Sequence, residues 1–246
     1  MIRPARSRAL QYLAAGLLLI AATTITAAAP VPTRVPDSIA ERVRACTVCH
    51  GKEGRATNEG YYPRIAGKPA GYIYNQLVNF RDGRRRHQAM TYIVGNLPDA
   101  YLREIAAFFA AQDPPYPPPP ASDATPAVLE RGRILVTCGD PQHKIPACVA
   151  CHGDALTGVA PAIPGLLGLP RDYLSAQFGA WRIGARHAAE PDCMAEITRR
   201  LSAEDSGAVA RYLASRAVPP HATPAAGFPA RPPLDCGSVT SPRNAP

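Results

Sequence analysis

Cys46-Thr47-Val48-Cys49-His50 and Cys148-Val149-Ala150-Cys151-His152 are the two stretches that decide how this 246-residue sequence is read. Cys-x-x-Cys-His is the pattern of a c-type haem attachment. Two thiols separated by two residues reach the two vinyl groups of one porphyrin, and the adjacent histidine lies under the iron as its proximal ligand. A thioredoxin-type redox pair needs the two cysteines but no following histidine. Structural zinc needs four ligands, usually in two separated pairs, and neither stretch has a second pair nearby. The reading is therefore one covalent haem c at Cys46 and Cys49 and another at Cys148 and Cys151, with His50 and His152 on the irons.

The flanking residues repeat as well. Tyr62-Pro63-Arg64-Ile65-Ala66-Gly67 aligns with Ile163-Pro164-Gly165-Leu166-Leu167-Gly168, and Tyr72, Gln76, Phe80, Arg81 and Gly83 align with Tyr173, Gln177, Trp181, Arg182 and Gly184, all 101 positions on. Met90 and Leu97 meet Met194 and Leu201 at an offset of 104, as an internal duplication with a short insertion produces. Apart from Met1 these are the chain's only methionines. Methionine is ordinarily a flexible core filler, but one per copy in matching register points to the second axial ligand. A histidine/methionine pair raises the haem potential and closes both axial positions. His87 and His187, just before the two methionines, are surface groups or weak competitors as ligands. Pro63 and Pro164 follow the motifs at nearly constant distance, so a carbonyl there is placed to accept the histidine's other ring N–H. Tyr72, Tyr173, Phe80 and Trp181 are expected near the porphyrin edges.

Each copy reads as an opening helix, the Cys/His element, a Gly/Pro-rich loop, a middle helix, a methionine-bearing loop and a closing helix. The opening helices are expected near 38–46, with Ser38 as N-cap and Glu41 in the capping-box position, and near 126–136. The middle helices are expected at 69–81 and 170–181, each with proline in its first turn. Leu102, Ile105, Ala106 and Phe109 form a stripe of period 3.6, matched by Val209, Tyr212 and Leu213. No alternating strand pattern exceeds a few residues, so the fold class is all-α: two tandem small helical domains, 36–113 and 127–218, each around one haem. Between them the proline run of 114–126 excludes helix interior and central strand and favours an extended linker. The Pro-rich tail, 219–246, is expected to order only where Cys236 ties it down.

At the N-terminus Arg3, Arg6 and Arg8 precede the apolar run Leu10 to Ile25 and the small residues Ala27 to Ala29, the pattern of an export signal over 1–29. The uncharged stretch also has the length of a retained anchor. Either outcome puts the chain in the periplasm, soluble or held at the inner membrane. Removing 1–29 takes three of 27 basic residues and none of 19 acidic ones, lowering the formal charge from +8 to +5. That modest basic balance, with no aromatic-interleaved basic stripe, gives no case for nucleic acid. Arg84-Arg85-Arg86 reads as a solvated loop or a docking patch for an acidic partner. His143 and His221 lie in polar or Pro-rich surroundings and read as solvated.

Together these stretches resemble the dihaem cytochrome c family, of the cytochrome c4 type, over about residues 40–218. The likeness is carried by Cys46 to Gly51, Pro63 to Gly67, Gln76-Leu77, Phe80 to Arg84, Met90 and Leu97, and again by Cys148 to Gly153, Gln177, Trp181 and Met194. The resemblance implies two class I cytochrome c domains with haem edges that approach each other, axial ligands His50, Met90, His152 and Met194, and single-electron transfer. It also implies redox partners: a bc1-type quinol–cytochrome c reductase or a dehydrogenase as donor and a terminal oxidase as acceptor. Cys138 and Cys193 depart from the family pattern. Either they form a disulfide that pins the methionine loop, or Cys193 itself approaches the iron. The second possibility motivates an alternative function, a dihaem sulfur-compound dehydrogenase of the thiosulfate dehydrogenase kind. A docking module in which haem chiefly supports folding is a third.

Overall fold

Leu102, Ile105, Ala106 and Phe109, the stripe of period 3.6, are all buried in one helix, Asp99–Ala110. The computed structural model describes residues 36–57, 60–220 and 222–239. The expected export signal or anchor lies outside them, as does His221.

The first copy contains α1 (Ile39–Arg42), α2 (Arg44–His50), α3 (Ala70–Arg81), α4 (Gln88–Val94) and α5 (Asp99–Ala110). Val43, Ile73, Leu77, Phe80 and Val94 join the α5 stripe in one buried cluster. The second copy contains α6 (Pro126–Thr137), α7 (Val149–His152), α8 (Arg171–Arg182), α9 (Cys193–Arg200) and α10 (Ala203–Ala214). Its cluster includes Leu135, Val136, Leu174, Leu201, Val209 and Leu213. Fully burying one such side chain is worth roughly 1.5–3 kcal/mol, so these stripes, more than helix propensity, hold the helices in place. The mostly helical fold agrees with the all-α reading. The strands described are β1 (Gly158–Val159) and β2 (Ile163–Pro164), which pair antiparallel with Val159 opposite Ile163.

Gly132 lets α6 and α10 approach closely, since a Cβ there would lie 2.3 Å from the Ala208 carbonyl oxygen. Arg131 of α6 reinforces this crossing by pairing with Asp205 at 2.7 Å and Asp140 at 3.0 Å.

Several local expectations change. The first opening helix breaks at Val43, and α2 then runs through the Cys/His motif to His50. Ser38 caps α1 as expected, accepting from Glu41 N at 3.4 Å. The Glu41 side chain pairs with Arg44 at 2.9 Å instead of closing a capping box. In the second copy α6 ends at Thr137, and the motif forms its own short helix, α7. The two methionine-bearing loops are helices. His87 caps α4 by accepting from Met90 N at 3.4 Å, and Asp192 caps α9 by accepting from Ala195 N at 3.0 Å. A capping side chain supplies the hydrogen bonds a helix start lacks, which explains helix where a methionine-bearing loop was expected.

The proline linker is pinned between the copies. The Arg64 guanidinium lies 3.7 Å from the Tyr116 ring centroid and donates to the Pro114 and Pro115 carbonyls. On its other side Tyr116 meets Gly168, where a Cβ would come within 2.4 Å of the ring.

Candidate functional site

His50 closes α2, is buried, and donates from Nδ1 to the Pro63 carbonyl oxygen at 2.9 Å. His152 closes α7 and does the same to Pro164 at 2.7 Å. A carbonyl only accepts, so the proton sits on Nδ1 and the Nε2 lone pair is left for the other side of the ring. Burial lowers the pKa of both imidazoles, with nearby basic groups acting in the same direction: Arg85 and His87 on His50, and Lys68 on His152. Each ring is thus held in one tautomer, with burial favouring its neutral form, as the placement of Pro63 and Pro164 suggested.

Both rings line one cavity of about 810 Å³. Cys46, Cys49 and Met90 line it beside His50, and Cys148, Cys151 and Met194 line it beside His152. All eight residues singled out from the sequence therefore face the same space. Ile73, Leu77, Ile105, Leu135, Val209 and Leu213 supply part of its apolar wall. Small-molecule pockets span about 300–1,000 Å³, and this one lies near the top of that range while carrying both Cys/Cys/His/Met sets. Burial raises the pKa of Cys46 and Cys151 and pushes Cys148 up to about 12. Tyr72, Tyr173, Phe80 and Trp181 also line the cavity.

The basic run is only partly the solvated loop expected from its charge: Arg86 is exposed, but Arg84 and Arg85 are half-buried. Arg84 turns back onto Asn79 at 2.7 Å and Asp82 at 3.0 Å, while Arg85 enters the contact between the copies. There Arg85 donates to Gln76 Oε1 (2.9 Å), Gln177 Oε1 (2.7 Å) and Tyr173 Oη (3.1 Å). Arg186 mirrors it, donating to Gln177 Oε1 (2.7 Å), Gln76 Oε1 (3.1 Å) and Tyr72 Oη (3.4 Å). Each guanidinium also covers an aromatic ring, Phe80 at 4.5 Å and Trp181 at 3.8 Å. Backbone bonds from Arg86 N to Ala185 O (2.8 Å) and from His187 N to Arg84 O (2.6 Å) close the contact. Arg186 is missing from the sequence reading, although the offset of 101 that relates Gln76 to Gln177 also relates Arg85 to Arg186.

Neither arginine has a carboxylate partner among the described residues, and both line the cavity. Arg186 is buried and Arg85 half-buried; like charges so withdrawn from water call for anions, and haem carries two propionates. The unpaired guanidinia, the oriented imidazoles and the paired thiols all fit haem c.

The cysteines pair differently from the expectation. Cys193 bonds to Cys236, leaving Cys138 exposed and free. A Cys138–Cys193 bridge is thereby excluded, and the Cys193 sulfur, being in a disulfide, is not a thiolate ligand for iron. The bridge does hold the residue next to Met194, with its second cysteine coming from the tail. That tail is ordered at further points: Ala225 exchanges backbone bonds with Gly158 and Ala160, and the Ser238 carbonyl accepts from Asn75 of the first copy at 3.1 Å. His87 lines the cavity and bonds Tyr61 Oη at 3.1 Å, whereas His187 meets the Gly184 carbonyl. His143 remains mostly exposed and pairs with Asp140.

No family model matches the chain. A thiosulfate dehydrogenase electron acceptor of Stutzerimonas stutzeri (strain A1501) is 38% identical over 171 residues, 70% of this chain and 78% of that one. A cytochrome c4 of Thiocapsa roseopersicina is 33% identical over 194 residues, 76% of this chain and 95% of that one. Among solved structures, reduced recombinant cytochrome c4 from Pseudomonas stutzeri superposes with a TM-score of 0.62 at 27% identity, covering 72% of this chain and 96% of that chain. The thiosulfate dehydrogenase TsdBA of Marichromatium purpuratum superposes with a TM-score of 0.63 at 33% identity, covering 70% of this chain but 36% of that chain.

Proposed function

The chain belongs to the cytochrome c4 family of dihaem cytochromes c, and from that premise we propose that it carries single electrons between redox proteins on two covalently bound haem c groups. The observation that carries this reading is the presence of two complete Cys/Cys/His/Met sets on one cavity.

In this reading residues 36–113 hold one haem and 127–218 the other, joined by the linker 114–126. Cys46 and Cys49, and Cys148 and Cys151, would hold the two porphyrins through thioethers, and His50 with Met90, and His152 with Met194, would hold the two irons. When bound, the haems supply the iron couple that accepts and releases the electron. The chain's own residues orient the ligands and keep water out. The Pro63 and Pro164 carbonyls hold the histidine tautomers, and the aliphatic wall lowers the local dielectric. Arg85 and Arg186 offer charge-assisted hydrogen bonds to carboxylates. With a histidine and a methionine on each iron, the haem would supply electron transfer and leave no open position for substrate.

The donor is a bc1-type complex or a dehydrogenase, and the acceptor a terminal oxidase. The relative named as an electron acceptor of thiosulfate dehydrogenase favours a sulfur-oxidising dehydrogenase as donor. The work is done in the periplasm. Among the described residues no helix is long and apolar enough to cross a membrane. A second reading, in which the chain itself oxidises a sulfur compound, draws on the likeness to a thiosulfate dehydrogenase. It loses its proposed cysteine ligand to the Cys193–Cys236 bridge.

The test is the intact mass and redox titration of protein exported by a cell competent in haem attachment. Two covalent haems, two one-electron waves and prompt exchange with a donor are expected. Colour lost on acid–acetone extraction would end the reading.

A further inference from the structure

Lys68 is a buried cation that the first copy extends into the second. It is 5% exposed, and its Nζ donates to the Gly165 carbonyl oxygen at 2.9 Å. Gly165 directly follows Pro164, whose carbonyl holds His152. Lys68 lines the same cavity as His152, and its charge acts on that imidazole. Among the described residues no carboxylate pairs with it, and its one charged neighbour, Arg64, is also a cation. The duplication does not return the favour: 101 positions on stands Leu169, which is apolar and buried.

A buried ammonium without a counter-ion is costly. Burial and Arg64 together lower its pKa to about 8, which leaves it mostly protonated at neutral pH. Reduction of a haem adds one negative charge, and a fixed cation behind the proximal histidine favours that state. Inside the protein this attraction is little screened by salt.

Resting on the dihaem reading above, we propose that Lys68 is a potential-setting residue, its charge favouring the reduced form of the haem held by His152 over that of the haem held by His50. The residue acts through the charge of its ammonium, and the hydrogen bond to Gly165 serves to position it.

Two substitutions separate charge from hydrogen bonding. Lys68→Gln keeps a donor and removes the charge; Lys68→Arg keeps both. The measurement is spectroelectrochemical titration of the dihaem protein. A Met194→His variant identifies the second-copy wave, because bis-histidine ligation lowers its potential. In Lys68→Gln the equilibrium constant for reducing the second haem is expected to fall roughly tenfold, about 59 mV for one electron. The first wave is expected to stay within about twofold in the same variant, and Lys68→Arg to keep both waves near wild type. A second wave unmoved in Lys68→Gln, or two waves shifted equally, overturns the proposal. Lys68→Met is the second neutral variant; if neither neutral protein retains two haems while Lys68→Arg does, the role is structural and the proposal fails. A wild-type protein with fewer than two waves refutes the dihaem reading instead.

Discussion

Arg85 and Arg186, 101 positions apart, donate to the same two amide oxygens, Gln76 Oε1 and Gln177 Oε1, over distances of 2.7 to 3.1 Å. The pseudo-twofold relation between the copies thus passes through a pair of like charges. Both residues line the cavity that carries the two Cys/Cys/His/Met sets.

This arrangement predicts that Arg186→Met weakens the contact between the copies. Three hydrogen bonds from a charged group, two of them to the other copy, and the stacking on Trp181 are lost together, at a cost of about 2–3 kcal/mol. Calorimetry of the dihaem protein is expected to show a lower midpoint, with one transition separating into two. A single unshifted transition would show that the network contributes nothing to coupling the copies.

The ligand assignment predicts a selective spectroscopic loss. Met90→Ala and Met194→Ala are each expected to remove about half of the far-red methionine-to-ferric-iron band, in line with one thioether ligand per haem. The double variant should lose all of it. A band left whole in either single variant would remove that methionine from the iron.

The disulfide closes a sequence separation of 43 residues. Chain-entropy reasoning gives about 4 kcal/mol for a loop of that length. Cys236→Ser is expected to lower stability by up to that amount and to loosen the start of α9, where Met194 sits. Denaturant unfolding measures the first effect, and cyanide binding to the second haem relative to the first measures the second.

Acid stability follows from Asp140, whose carboxyl is held down to about 2 by hydrogen bonds from Arg131 and His143. Its ordinary value is 3.8, so between pH 4 and 2 the unfolded chain binds the proton more readily. The stabilisation is complete above that window and is lost as pH falls through it. Denaturation midpoints of wild type should drop over this range, and those of Asp140→Asn should drop less steeply. Equal slopes would assign the acid sensitivity to other groups.

Much of the molecule was legible before any coordinates. Cys-x-x-Cys-His carries its chemistry in five consecutive residues, and the α5 stripe declares itself by period. The carbonyls of Pro63 and Pro164 were foreseeable from their near-constant distance to the motifs. The methionine segments were not legible as helices, because their caps, His87 and Asp192, act through side-chain hydrogen bonds that composition does not reveal. Arg84-Arg85-Arg86 misled for a related reason. Three adjacent charges suggest solvent, yet aromatic faces and amide oxygens supplied by both copies draw the middle one inward.

From the residues alone come the haem motifs, the duplication, the helical class and the short list of ligands, because each is encoded locally or in a regular spacing. Folding in three dimensions selected Cys236 as the partner of Cys193, set Arg85 beside Arg186 and carried Lys68 to the far copy's histidine loop. Those pairs are 43, 101 and 97 residues apart. At such separations the meeting of two side chains depends on how whole helices pack, and no neighbouring residue records it.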